Sequence, residues 1–350
     1  MDVALDIRRA EYTENIMPFT AGDDTELNLI NVRGSNAPTK CPVILVHGAG
    51  VRANIFRAPV DTTIVDALIA EGYDVWLENW RASIDFPPHL WTLDQAALYD
   101  HPMAVKKIVE ETGCTDIKAI IHCQGSTSFT MSAIAGLVPQ VSTIVSNAVS
   151  LHPVVPRWSA FKLSYLLPMV SMMTKYLNPK WGIEAPTVAA KMISALVRMT
   201  HHECDNEVCK QVSFTYGSGF PALWSHENLN EETHDWLTEE FAAVPLRFFE
   251  QITRCIKHGN LLSVEDLADL PRDFTEQAPL TDARFAFFAG EDNLCFLPES
   301  QVKSYEYFSA HRPNFHSINI LPNYGHLDVF MGKHAARDTF PLIIQELAKS

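Results

Sequence analysis

Residues 119–129 read AIIHCQGSTSF, and the order of residue types along them dictates a local geometry. The run from Ile117 through Ile121 is apolar and β-branched, which suits a short buried strand. From Gly125 onward small polar residues open a helical pattern over 124–137. Cys123 stands between the two, on the sharp turn from strand to helix. A thiol at that place meets free backbone N–H groups and the positive end of the helix dipole, and both favour its thiolate.

Working outward, the same strand–helix rhythm repeats on either side. CPVILVHG (41–48) and YDVWLEN (73–79) read as strands, with a helical stretch near 54–70 between them. A helix over 100–112 ends at Gly113, and VSTIVSNAV (141–149) is the next strand. Strands alternating with helices predict a mostly parallel central sheet with helices on both faces. The rhythm stops at about residue 150. From 151 to 278 the chain is rich in Pro, Trp, Met and His, with helical patterning and few strand signals. RFAFFAG (284–290) and HSINILP (316–322) then restore strands, and a helix near 334–348 closes the chain. The expected organisation is an α/β core formed by 1–150 and 279–350, split by a mainly helical insertion over 151–278. Such an insertion sits over the carboxyl ends of the strands, where open α/β sheets bind ligands.

Composition narrows the function. Of the 350 residues 47% are hydrophobic and 20% charged, enough for a sizeable core. A net charge of −15 argues against nucleic acid or an anionic membrane as partner through a general basic surface. MDVALDIRRAEYTENIM at the N-terminus lacks the basic start and long apolar core of a signal peptide. No stretch reaches the ~18–20 apolar residues of a membrane span, so no integral membrane association is expected. Seven cysteines without a repeating framework suit a reducing compartment, and cytoplasmic location is the expectation.

Three residues fall where strands are predicted to end. Cys123 follows KAIIH, Asp292 follows RFAFFAGE, and His326 follows HSINILPNYG. In those roles Cys123 attacks, His326 takes and returns the proton, and Asp292 orients the imidazole and stabilises its charged form. HGAG (47–50) follows the strand CPVILV, and its glycines let a backbone N–H point at a developing oxyanion. Ala49 is the expected donor, with the N–H of Gln124 as its partner. Each residue taken singly also has a plain reading: a buried cysteine as inert packing, His326 as a structural histidine, Asp292 as a turn former.

The quoted motifs carry a resemblance. VILVHGAG, EGYDVWLENWRAS (71–83), HCQGSTSF (122–129) and LPNYGHLDVFMGKHA (321–335) resemble the α/β-hydrolase superfamily, more closely its acid lipase branch. They are also similar to the hydrolase module fused to cholesterol-oxidase-like flavoproteins. The likeness spans about 41–150 and 284–348, and SHENLNEETHDWL (225–237) adds a fainter similarity to the lipase cap. It implies an α/β-hydrolase fold with a large helical cap insertion and a nucleophile–acid–histidine triad in the order Cys123, Asp292, His326. Two positions depart from the branch's G-H-S-Q-G: the serine is Cys123, and the first glycine is Ile121, which implies an altered elbow.

The implied chemistry is an acyl-thioenzyme formed from an apolar ester, lactone or thioester, followed by hydrolysis or acyl transfer. The implied partner is a small-molecule apolar acyl substrate, a carrier-bound thioester included; no cofactor and no metal are expected, and the oligomeric state is open. A non-catalytic ligand-binding relative is the alternative, and a protein partnering an oxidase a further one resting on the fusion alone. His122 reads as packing beside the elbow. Asp328 and Glu291 are fallback acids. HHECDNEVC (201–209) offers His201, His202, Cys204 and Cys209 without a tight zinc spacing and reads as a surface loop of the insertion, with a Cys204–Cys209 bridge only if it is oxidised. Residues 161–173 read as insertion core or pocket roof, two readings that overlap.

Overall fold

Alternation along each strand decides which helices cover which face of the sheet. In β3 (Pro42–Val46) Val43 and Leu45 point one way and Ile44 and Val46 the other, and all are fully buried. The computed structural model describes residues 12–349, so most of the N-terminal stretch read for a leader lies outside the described residues. One eight-stranded sheet organises it. It comprises β1 (Thr13–Thr20), β2 (Glu26–Arg33), β3, β4 (Asp74–Asn79), β5 (Ile117–His122), β6 (Val141–Asn147), β9 (Arg284–Gly290) and β10 (Ser317–Leu321), in the order β1-β2-β4-β3-β5-β6-β9-β10. From β4 to β10 every pairing is parallel.

The sheet is mostly parallel with helices on both faces, as the strand–helix rhythm predicts. Ile44, Val46, Ile121, Ile144, Phe285 and Phe287 pack with Ala104, Val105 and Ile108 of α2 (His101–Thr112) and with Phe129, Met131 and Ala133 of α3 (Cys123–Ile134) on one face. Val43, Leu45, Ile120, Val145, Ala286 and Phe288 pack with Ile64, Val65 and Leu68 of α1 (Ile64–Ala70) and the C-terminal helical residues Phe340, Ile343 and Leu347 on the other. Two differences from the sequence reading are local. β1 and β2 form an antiparallel hairpin at the sheet edge that the rhythm did not reveal. The 54–70 stretch divides into a short turn at Ala53–Arg57 and α1, because Pro59 intervenes and Thr63 starts a new helix with a reciprocal Thr63–Asp66 capping box.

Between β6 and β9 the chain is mainly helical and adds nothing to the main sheet. It carries a broken helical run over 157–171, then α4 (Val188–Thr200), α5 (Glu207–Tyr216), α6 (Glu231–Glu240) and α7 (Leu246–His258). β7 (Tyr176–Leu177) and β8 (Val244–Pro245) form a separate two-stranded sheet within it. Among the described residues no helix is long and apolar enough to cross a membrane.

Candidate active site

The elbow after β5 holds Cys123 in the left-handed region, at φ +56°. For a residue with a side chain that conformation costs roughly 1–2 kcal/mol, so the packing around it must over-determine it. Gly125 is part of the reason: a Cβ there would run into the carbonyl oxygen of His47, so only glycine lets α3 lie against the β3 loop. Gly48 is the other contact. A Cβ on it would stand 2.9 Å from Cys123 Cβ and 3.3 Å from its Sγ. Ile121, where an altered elbow is expected, sits buried between Val46 and Ser146, and the turn keeps its positive φ.

His326 arrives from the loop after β10. Its backbone N–H donates to Leu223 O at 3.0 Å, and that of Leu327 donates to the same carbonyl at 2.8 Å, so the insertion holds the loop. The ring is buried and packs on His122, with centroids 4.7 Å apart. Side-chain ligand atoms of His122, Cys123 and His326 all lie within 4.8 Å of one another. His122 lies at 2.9 Å from the Asn147 amide through Nδ1, and burial pushes its pKa well down. It is a neutral packing partner of the elbow.

The acid partner is where the structure corrects the sequence reading. Asp292 does not reach His326; its side chain is exposed, and its backbone N–H donates to Tyr324 O at 2.9 Å, which turns the next residue inward. That residue is Asn293, buried, with its amide nitrogen 3.0 Å from His326 Nδ1. Asn293 Oδ1 accepts the N–H groups of Cys295 at 3.0 Å and Phe296 at 3.3 Å. An oxygen so engaged fixes the amide's orientation, so the NH2 donates to the ring. The fallback acids fail too. Glu291 is exposed, and Asp328 accepts from Gly325 N, Ser225 N and Asn228 Nδ2 instead, with burial raising its pKa to about 6.

Cys295 is a second residue the sequence reading missed. Its thiol beside Cys123, ahead of His326 and the Gln124 N–H, holds the Cys123 pKa well below the ordinary thiol range despite burial. The Cys295 thiol is correspondingly pushed up by the same contact. The negative charge belongs on Cys123, because that sulfur alone has the helix N-terminus behind it. One signal in the sequence bears on these residues: Asn293 and Cys295 lie on the loop after β9, and residues of that loop are site candidates.

Cys123 opens into an apolar pocket whose walls come from the insertion: Leu163, Leu166, Val170, Phe248, Phe249 and Ile252. It is narrow, about 90 Å³. Polar groups interrupt the lining, Lys162, Tyr216 and Gln124 among them. Lys162 Nζ donates to the carbonyls of Phe214 and Gly217, both at 2.6 Å, and burial lowers its pKa to about 8. The Tyr216 hydroxyl is buried over Gly50 and finds no hydrogen-bond partner among the described residues. Gln124 lines the same space. Ala49 and Gln124 are both buried beside Cys123, in the loop after β3 and at the start of α3.

The parallel sheet with helices on both faces recurs in solved structures over nearly the whole chain. An esterase from Thermogutta terrifontis superposes with a TM-score of 0.54 at 13% identity, covering 95% of this chain and 98% of its own. The structure of DcsB in complex with its substrate analogue gives 0.57 at 13% identity, over 96% and 99%. This chain has the α/β-hydrolase fold. Curated relatives include lipases. Human lipase member K is 22% identical over 89% of this chain and 80% of its own length. A probable lipase of Schizosaccharomyces pombe is 29% identical over 51% of this chain and 43% of its own. No family model matches the chain. The α/β-hydrolase superfamily expected from the motifs is therefore supported by fold and by distant sequence.

Proposed function

We propose that this α/β-hydrolase-fold protein is an acyl-transfer enzyme that takes an apolar acyl group onto Cys123 from an activated acyl compound, above all a thioester. The observation that carries it is the pairing of a stabilised thiolate with a non-carboxylate partner on His326. The thiolate Sγ attacks the acyl carbonyl carbon, and the C=O π electrons move onto oxygen. Backbone N–H groups of Ala49 and Gln124 receive that oxyanion; each such donor contributes about 3–4 kcal/mol. The tetrahedral intermediate then collapses, expelling the leaving group and leaving the acyl chain on sulfur.

The leaving group decides the substrate class. An Asn293 amide that donates to Nδ1 favours the imidazole with its proton on Nε2 and gives an imidazolium no carboxylate to face. An alkoxide, the conjugate base of a very weak acid, then leaves poorly without a strong proton donor, whereas a thiolate, whose thiol has a pKa near 8.5, departs without one. The lipase relatives support ester-type acyl chemistry at this place in the fold; the cysteine shifts it toward thioesters. Deacylation by water needs His326 to take a proton at Nε2, so hydrolysis is the slow step and a better nucleophile than water would outrun it. The helical insertion acts as the cap whose underside grips the acyl chain.

Intact-mass measurement with a panel of acyl thioesters and matched oxoesters tests this. Acylation of wild type by thioesters, mapped to Cys123 and absent from Cys123→Ala, is the expected result. Reversible binding with no adduct on any panel member would instead make the protein a non-catalytic binder, the reading the missing carboxylate also permits.

A further inference from the structure

Away from the elbow, the insertion gathers a second set of thiols and imidazoles. Cys204 lies in the loop between α4 and α5, Cys209 in the first turn of α5, His226 in a short turn at His226–Asn228, and His234 in α6. Their ligand atoms all lie within 4.8 Å of one another. We propose that Cys204, Cys209, His226 and His234 form a tetrahedral zinc site that ties the insertion together. The sequence reading assigned no metal and grouped Cys204 and Cys209 with His201 and His202. The structure separates that set: the His201 ring packs on Phe220 and Phe214, and His202 Nε2 meets Met199 O at 3.1 Å.

The geometry fits zinc in three ways. Two thiolates and two imidazoles are a donor set that zinc accepts in closed structural sites. Cys209 Sγ and His226 Nε2 are 3.5 Å apart; Zn–S near 2.3 Å and Zn–N near 2.0–2.1 Å at the tetrahedral angle put S and N about 3.6 Å apart. The His226 and His234 rings stand at 87° with centroids 5.0 Å apart, converging edge to face rather than stacking. His234 Nε2 is buried and has no hydrogen-bond partner among the described residues. The spacing C-x4-C followed by H-x7-H explains why sequence alone is silent: the second half is looser than the familiar H-x3–5-H.

The site has a structural consequence. The turn after Trp224 carries Ser225 N–H and the Asn228 amide to Asp328, at 3.1 and 2.7 Å, and Leu223 O holds the backbone of His326. Metal at His226 would therefore brace the strap from which the His326 loop hangs.

Metal content of the full chain, purified under reducing conditions from zinc-supplemented cells, tests the proposal. About one zinc per chain is expected in wild type, as folding and binding share their free energy. Cobalt(II) substituted into wild type should show tetrahedral ligand-field bands with thiolate charge transfer. Zinc should be lost in Cys204→Ser/Cys209→Ser and kept in His234→Cys, which preserves a ligand. Wild type that neither carries zinc nor takes it up on reconstitution overturns the site, as does a double-serine variant that keeps full zinc. A Cys204–Cys209 disulfide in the protein as isolated from cells also overturns it.

Discussion

Asn293 meets the Nδ1 of His326 at 3.0 Å through its amide nitrogen. A carboxylate there would accept a proton from Nδ1 and stabilise imidazolium; this amide donates, and its oxygen is committed to two backbone N–H groups. In a triad of the usual kind, replacing the acid by its amide costs about 10⁴ in turnover through the wrong histidine tautomer. This site has an amide at that place, and under the proposed acyl transfer a Cys123 thiol whose pKa is held low offsets it.

Asn293→Asp should therefore raise oxoester hydrolysis by at least about tenfold, by allowing Nδ1–H to point at a carboxylate. One oxygen can still accept from Cys295 and Phe296, so the loop keeps its fold. Steady-state rates on an oxoester and a thioester of one acyl chain check this. An unchanged oxoester rate means His326 is not limited by its partner.

The pH dependence of Cys123 alkylation follows from its depressed pKa. A thiol held well below its ordinary range ionises at lower pH than a free thiol, so its reaction with iodoacetamide should reach its plateau below the ordinary thiol pKa of about 8.5. The rate should fall only as acid protonates the sulfur, below that depressed pKa. The linkage has the same sign: a group whose folded pKa is lowered adds stability above its unfolded pKa near 8.5, and that stability is lost as pH falls through the folded value. An alkylation rate that instead climbs tenfold per pH unit toward pH 8.5 would show an ordinary thiol.

Cys295→Ala removes the thiol beside Cys123. A hydrogen bond to a charged acceptor is worth about 1.5–3 kcal/mol, so the alkylation inflection should move up by roughly one to two pH units. Thermal unfolding of the same variant separates this from a loss of fold, since Cys295 is buried and its truncation also leaves a small void.

The narrow pocket should choose acyl groups by length. Leu166→Trp, at a partly exposed lining position, adds bulk to the pocket wall. Acylation by long-chain thioesters should drop by about tenfold or more, roughly the 1–3 kcal/mol that a misfit group costs, while acetyl transfer is spared. Equal losses for both chain lengths would place the acyl chain elsewhere.

Much of this was written into local sequence. The apolar runs ending at Val46, His122 and Gly290 specify strands on their own, and a mostly parallel sheet covered by helices follows from their alternation with helices; the hydrolase fold is implied by the resemblance of the motifs at the strand ends. The positions of Cys123 and His326 follow as well, because each comes directly after or shortly beyond a strand. What tertiary structure decided is which neighbouring side chain faces inward. Asp292 and Asn293 are adjacent, and nothing local distinguishes them; the bond from Asp292 N–H to Tyr324 O turns one to solvent and the other to His326. Cys295 became a partner of Cys123 because the loop after β9 packs beside the elbow, and His226 and His234 joined Cys204 and Cys209 because α5 and α6 fold onto one turn. Such convergence of distant segments is set by packing over the whole insertion, and short-range residue patterns do not encode it.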